Sequence, residues 1–136
     1  MRGQSKRRGY LLVGLLAMGV IAGCRSEADR VTGKWQGTLD LGSMMPGRIG
    51  SASTMRLVCN IRKNSDGTLG GTLDSPDQNA AGLPIDVVTI KNGAFHLQLN
   101  RQNASYDGQL STDGSTISGQ WKQNQFSLPC EFKRSQ

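Results

Sequence analysis

Few side chains in this chain of 136 residues can do covalent or acid–base chemistry. There are three cysteines (Cys24, Cys59 and Cys130), one histidine (His96) and ten carboxylates. A general base at His96 needs a nucleophile within reach and a carboxylate to orient it, and no Gly-x-Ser-x-Gly turn supplies the nucleophile. The alternation of its neighbours puts His96 on the outward face of a strand. No Cys-x-x-Cys or His-x-x-x-His spacing occurs, and no aspartate-dense loop of EF-hand type. Asp74, Asp77 and Asp86 surround one loop, where turn and capping duties account for them. No glycine-rich phosphate loop joins a strand to a helix. The pattern predicts a protein that is not an enzyme, with no cofactor and no metal. The cysteine whose setting points to chemistry is Cys24.

Cys24 closes a three-part leader. Arg2, Lys6, Arg7 and Arg8 make a basic start, and an apolar run from Leu11 to Ala22 follows. That run is shorter than the roughly 20 residues that span a bilayer, so it reads as a cleaved signal and not a mature transmembrane helix. The stretch Ile21-Ala22-Gly23-Cys24 resembles the lipobox. Small side chains let a peptidase approach the backbone, and the thiol is the nucleophile that takes diacylglycerol (palmitate-type acyl chains). The sequence thus predicts a lipoprotein signal peptide over 1–23, a lipidated tether over 24–31 and a folded domain over 32–134. Arg7-Arg8-Gly9-Tyr10-Leu11 looks like a twin-arginine export signal, with the general secretory route as the alternative. Arg25, and not Asp, follows the cysteine. By resemblance to the enterobacterial sorting rule this favours the outer membrane of the cell envelope, at its periplasmic face or surface, where two membranes are present.

The formal charge of +6 exaggerates how basic the folded part is. Four of the 16 basic residues lie in the leader and none of the 10 acidic ones do, so the remainder carries +2. The basic residues form no cluster beyond Arg62-Lys63 and Lys133-Arg134. Nucleic-acid binding is not expected.

The folded part is built for strands. Apolar and polar residues alternate at Met55–Ile61, Phe95–Leu99 and Phe126–Lys133, the period of a half-buried strand. The set continues with Trp35–Leu41, Thr68–Leu73, Ile85–Ile90, Ser105–Leu110 and Ile117–Lys122. Turn signals separate them at Asn64–Gly67, Lys91–Gly93, Thr112–Gly114 and Gln123–Gln125. Eight antiparallel strands need a sandwich or a closed barrel. Short consecutive connections favour an all-β, eight-stranded antiparallel up-and-down (lipocalin-like) barrel, preceded by the signal segment. Gly37, Gly71, Gly108 and Gly119 fall at inward positions, either as bends at barrel corners or as space for a ligand. Residues 42–54, carrying Met44, Met45 and Ile49, make a loop that covers the barrel mouth or lies free on the surface. Ser75–Gly82 reads as a short helix, with Ser75 as cap, Pro76 at its first position, Gln78 closing a capping box and Gly82 ending it. Cys59 and Cys130 face inward in an oxidising compartment. They are candidates for a disulfide, although strand one lies between their strands in a closed meander.

Several runs resemble a small β-rich, non-catalytic module found ahead of secreted bacterial α/β-hydrolases and serine-hydrolase-like proteins. They are Gly33–Leu39, Leu57–Ile61, Gly71–Gln78 with Gly82–Asp86, Gly108–Leu110, Ile117–Trp121 and Leu128–Arg134, in that order over residues 32–134. The resemblance implies no catalytic activity, and here no hydrolase domain follows. Gly33-Lys34-Trp35 also looks like the lipocalin Gly-x-Trp, which implies Arg134 on the last strand stacking on the indole.

The functions that remain are those of a membrane-anchored binding barrel. It would hold a small apolar ligand or an envelope protein partner, with Met44, Met45, Ile49, Trp35 and Trp121 as candidate contacts. Envelope inhibition of a lysozyme or protease, or a structural role, are the alternatives. The anchor is directly testable. Cys24→Ser should leave the precursor unprocessed or release the protein from membranes, and mass spectrometry finding unmodified Cys24 in a membrane fraction would refute it.

Overall fold

The computed structural model describes residues 25–42 and 54–135. The expected signal segment, Cys24, Met44, Met45 and Ile49 lie outside the described residues. The chain begins with a short helix α1 (Glu27–Val31) and continues through nine strands. These are β1 (Gly33–Asp40), β2 (Thr54–Lys63), β3 (Leu69–Ser75), β4 (Ala80–Ile85), β5 (Val87–Lys91), β6 (Ala94–Leu99), β7 (Ala104–Leu110), β8 (Thr116–Gln123) and β9 (Phe126–Ser135). All pairing is antiparallel, in the order β4-β3-β2-β1-β9-β8-β7-β6-β5. The first and last strands of the chain pair, Gly37 facing Phe132, so the sheet wraps into a nearly closed barrel.

The two outer strands in that order, β4 and β5, are separated in sequence by Asp86 alone. The chain pairs with β3 up to Ile85, then with β6 from Val87 onward. Asp86 secures the change of partner. Its amide donates to the Gln98 carbonyl and its carboxylate accepts the Asn100 amide at 2.7 Å. The strand count is therefore nine and not eight, because the expected strand over 85–90 is the second half of a longer bent segment.

The helix expected over 75–82 is corrected as well. It is a single 3₁₀ turn, Pro76–Gln78, and Ser75 makes no side-chain cap bond. Asn79 stops the turn in the left-handed region (φ 53°). The residues beyond it are drawn into the ladder, with Leu83 opposite Leu73 and Ile85 opposite Gly71. Pairing with β3 supplies these residues with partners that an isolated helical turn lacks.

The inward glycines divide into two groups, and neither leaves room for a ligand. At Gly37 and Gly108 a methyl group would strike the rings of Phe132 and Tyr106, which occupy that space already. At Gly71 and Gly119 it would strike backbone, the Asn60 and Asp107 carbonyls. Gly108 and Gly119 face each other across β7 and β8, letting the two strands approach closely and bend. The middle of the barrel is packed on these rings. Tyr106 lies edge-on to Phe132 with centroids 4.9 Å apart, and its hydroxyl donates to the Cys130 carbonyl at 2.7 Å or that of Ile117 at 3.0 Å. Burial holds that phenol protonated well beyond its ordinary range.

Cys59 and Cys130 are separate, buried thiols. Strand β1 lies between β2 and β9. Two interstrand spacings place their backbones about 10 Å apart, beyond the roughly 7 Å a disulfide spans. Burial pushes the Cys130 thiol up to about 12 and raises Cys59 as well, so neither is a nucleophile near neutrality.

The backbone contact at Gly119 yields a stability test. Gly119→Ala should destabilise the barrel by about 1–3 kcal/mol, as overpacking does. Gly70→Ala, where the added methyl meets only ordinary contacts, should stay within about 0.5 kcal/mol. Equal urea midpoints for the two variants would contradict the close-approach account.

Candidate functional site: an open end opposite a sealed one

The two ends of the barrel differ in construction. One end holds α1, the turns at 64–68, 92–93 and 111–115, and the C-terminus of β9. Helix α1 spans residues placed in the expected tether, and it is docked on the barrel. Ser26 caps it, its hydroxyl accepting the Asp29 amide at 3.2 Å and lying 2.7 Å from the Asp29 carboxylate. The Glu27 carboxylate accepts the amides of Asn92 and Gly93 at 2.9 and 2.7 Å, gripping the β5–β6 turn. Arg30 donates to the Thr112 carbonyl at 2.7 Å, Asp29 pairs with Lys63 at 3.0 Å, and Val31 is wholly buried. The sequence signal for this helix was Ser26 followed three residues later by Asp29, a variant of the capping box.

Trp35 lies buried at this sealed end, away from the 42–54 connection. Its indole N–H donates to the Val31 carbonyl at 2.8 Å, and the Arg134 guanidinium stacks on its ring 4.4 Å from the centroid, as the Gly-x-Trp resemblance implies. Arg134 also donates to the carbonyls of Thr32 and Arg30. Trp35 is thus removed from the candidate contacts, and the structure does not bring it together with Trp121.

The opposite end carries residues 41–42 and 54, the turn Pro76–Asn79, and the turns at 100–103 and 124–125. Residues 42 and 54, which bound one long connection, therefore lie at the same end as the Pro76–Asn79 turn. Arg56 links β2 to that turn. Its guanidinium pairs with Asp77 at 2.9 Å and its amide donates to the same carboxylate at 2.7 Å, which holds that carboxyl below the usual carboxylate range. A groove of ≈ 440 Å³ opens between Leu41, Met55, Arg56 and Asp77. Trp121 pairs with Leu128 across β8 and β9, 4% exposed, its N–H reaching Gln123 at 3.3 Å.

Phe126 is the residue the sequence reading passed over. It has the same parity as Leu128, Cys130 and Phe132, which are buried and inward, yet it is 55% exposed. Its position at the first residue of β9 explains the difference, since it points inward at a level where the barrel has no further layer. The parity was legible, but the consequence of standing at the rim was not.

His96 pairs with Asp107 at 2.6 Å on the outer face of β6 and β7, over a shallow depression that includes Ser105. No hydrogen bond joins Ser105 to His96, so the pair lacks the nucleophile contact that a triad needs. Among the described residues, no group of three His, Cys, Asp or Glu side chains is placed to hold a metal ion, and no helix is long and apolar enough to cross a membrane.

No family model matches the chain, and no curated protein matches it. A solved structure, the crystal structure of a point mutant of the fluorescent protein UnaG, aligns with 79% of this chain and 98% of that one, with a TM-score of 0.49 and 8% identity. The barrel itself is established by the strand ladders.

The seal makes a quantitative test. Arg134→Ala should cost about 2 kcal/mol through loss of the cation–π contact and the carbonyl bonds. Arg134→Lys should recover less than half, because an ammonium lacks the planar fork. Full recovery by lysine in urea unfolding would show that charge alone matters there.

Proposed function

We propose that the chain is a membrane-anchored lipoprotein of the cell envelope whose non-catalytic barrel binds at its open end, taking a small apolar ligand or an apolar segment of an envelope partner. The observation that carries the binding reading is Phe126, a large side chain on the inward face of the rim that is 55% exposed. Isolated surface hydrophobes are ordinary. This one begins the strand whose next inward residue, Leu128, is buried, at the end of the barrel that also carries Leu41 and Met55. A purely structural lipoprotein has no need of such a rim. The ring-filled middle supports a ligand held at the mouth and not deep in the barrel.

The anchor is supported by the Ile21–Cys24 stretch, and the absence of chemistry by the lone His96–Asp107 pair and the raised thiols. The resemblance to the module ahead of secreted hydrolases points the same way. By the residue after Cys24, the outer membrane is the proposed address where two membranes exist.

Native purification followed by organic extraction tests the binding. A bound apolar compound or a co-purifying protein is the expected result. Phe126→Ala should weaken its retention about tenfold or more, the scale of uncovering a phenyl ring. Deleting residues 43–52 should abolish retention with melting nearly unchanged. If the deletion unfolds the barrel while retention tolerates Phe126→Ala, the open end is not the site.

A further inference from the structure

We infer that the sealed end is a docking surface for anionic lipid headgroups, on which the barrel stands with its open end turned away from the bilayer. The inference rests on the lipid anchor at Cys24 and adds to it an orientation and a class of lipid.

The first observation is where the chain enters the fold. Only Arg25 separates Cys24 from Ser26, the cap of α1. Two residues span about 7 Å at most, so an acyl group on Cys24 has almost no linker. The helix it leads into is pinned at three separate places, through Glu27, Asp29 and Arg30. Arg25 itself lines a groove of ≈ 500 Å³ between α1 and the 112–114 turn. An anchor so placed brings the sealed end to the membrane surface and carries the rim of Phe126, on the opposite end, away from it.

The second observation is independent of the anchor. Charge is segregated along the barrel axis. Arg25 and Arg30 lie on or beside α1. Lys34, Arg62, Lys63, Lys91, Lys133 and Arg134 lie within three residues of the strand ends on the same side. Glu27, Asp29, Asp66 and Asp113 oppose them, leaving +4 at that end. Residues 24–136 together carry +2, so everything else sums to −2. The acids at this end are also engaged by neighbouring groups. Glu27 and Asp29 hold α1, and Asp113 accepts the hydroxyls of Ser111 and Ser115, which hold its carboxyl down to about 2. Lys34, Arg62 and Lys91 are exposed and make no ion pair among the described residues. A net positive face held within a Debye length, about 8 Å, of a surface favours anionic over zwitterionic lipid. The less basic rim gains nothing by approaching it.

The full lipidated chain, reconstituted into vesicles, distinguishes the possibilities. A fluorophore on Thr112→Cys reports the sealed end and one on Gln125→Cys the open end, with quenching by lipid carrying a headgroup nitroxide. In phosphatidylcholine vesicles containing about one-third phosphatidylglycerol, the Thr112 position should be quenched at least threefold more than the Gln125 position. The ratio should fall by half or more in 0.5 M salt, and likewise in the Lys34→Glu, Arg62→Glu, Lys91→Glu variant. Equal quenching of two vesicle-bound proteins would overturn the orientation and leave the anchor standing. A ratio indifferent to salt, lipid charge and the triple variant would overturn the anionic-lipid part. Protein that never sediments with vesicles would overturn the anchor and the inference together.

Discussion

The structure depends on what happens around the Trp35 indole. One edge donates to the Val31 carbonyl and so fastens α1 to the first strand. One face carries Arg134, which fastens the last strand to the same place. The register in which β1 meets β9, with Trp35 opposite Arg134, joins the β1–β4 half of the sheet to the β5–β9 half. The outer strands of the sheet are then β4 and β5, which one bent segment joins at Asp86. The β1–β9 pairing and the sealing of one end are the same cluster of contacts. Because Trp35 is 1% exposed, its ring contributes burial in addition to these bonds.

From that closure follows the division of the interior. Above Trp35 the barrel is filled by Phe132 and Tyr106, each lying where a glycine, Gly37 or Gly108, gives up its side-chain volume. Close packing of this kind resists both cavities and added methyl groups. It leaves Phe126, at the first residue of β9, 55% exposed at the rim. The proposed binding is thus placed at an end, where turns and side chains can vary without disturbing the ladder.

Much of this was legible in the sequence because a strand half-buried on one face repeats every two residues. Met55 to Ile61 and Phe126 to Phe132 alternate clearly, and their facing was read correctly. The Gly-x-Trp start and the terminal arginine were legible through resemblance. What failed to show was information that does not repeat. The bend at Asp86 is a change of partner, from β3 to β6, and nothing local marks it except one acidic residue between two apolar ones. Ser75–Gly82 carries real helix-start residues, yet Leu83 and Ile85 gained more from pairing with β3 than the turn gained by continuing. Trp35 and Trp121 looked alike as aromatic candidates, and only the three-dimensional ends separate them. Phe126 had the right parity, but its exposure comes from its height in the barrel. Sequence periodicity reports which face a residue takes and not which layer.

The central claim is that one end is clamped by α1 and the other is open. Native-state hydrogen exchange resolved by residue tests it most directly. The Asn92 and Gly93 amides sit in a two-residue turn that would exchange freely if α1 were a loose tether, and here they donate to Glu27. The account predicts that they exchange at least tenfold more slowly than the Asn79 and Asn103 amides of the open end, and that the Trp35 indole N–H exchanges only with global unfolding. Free exchange at Asn92, Gly93 and the Trp35 indole, with the open-end turns equally or better protected, would contradict it.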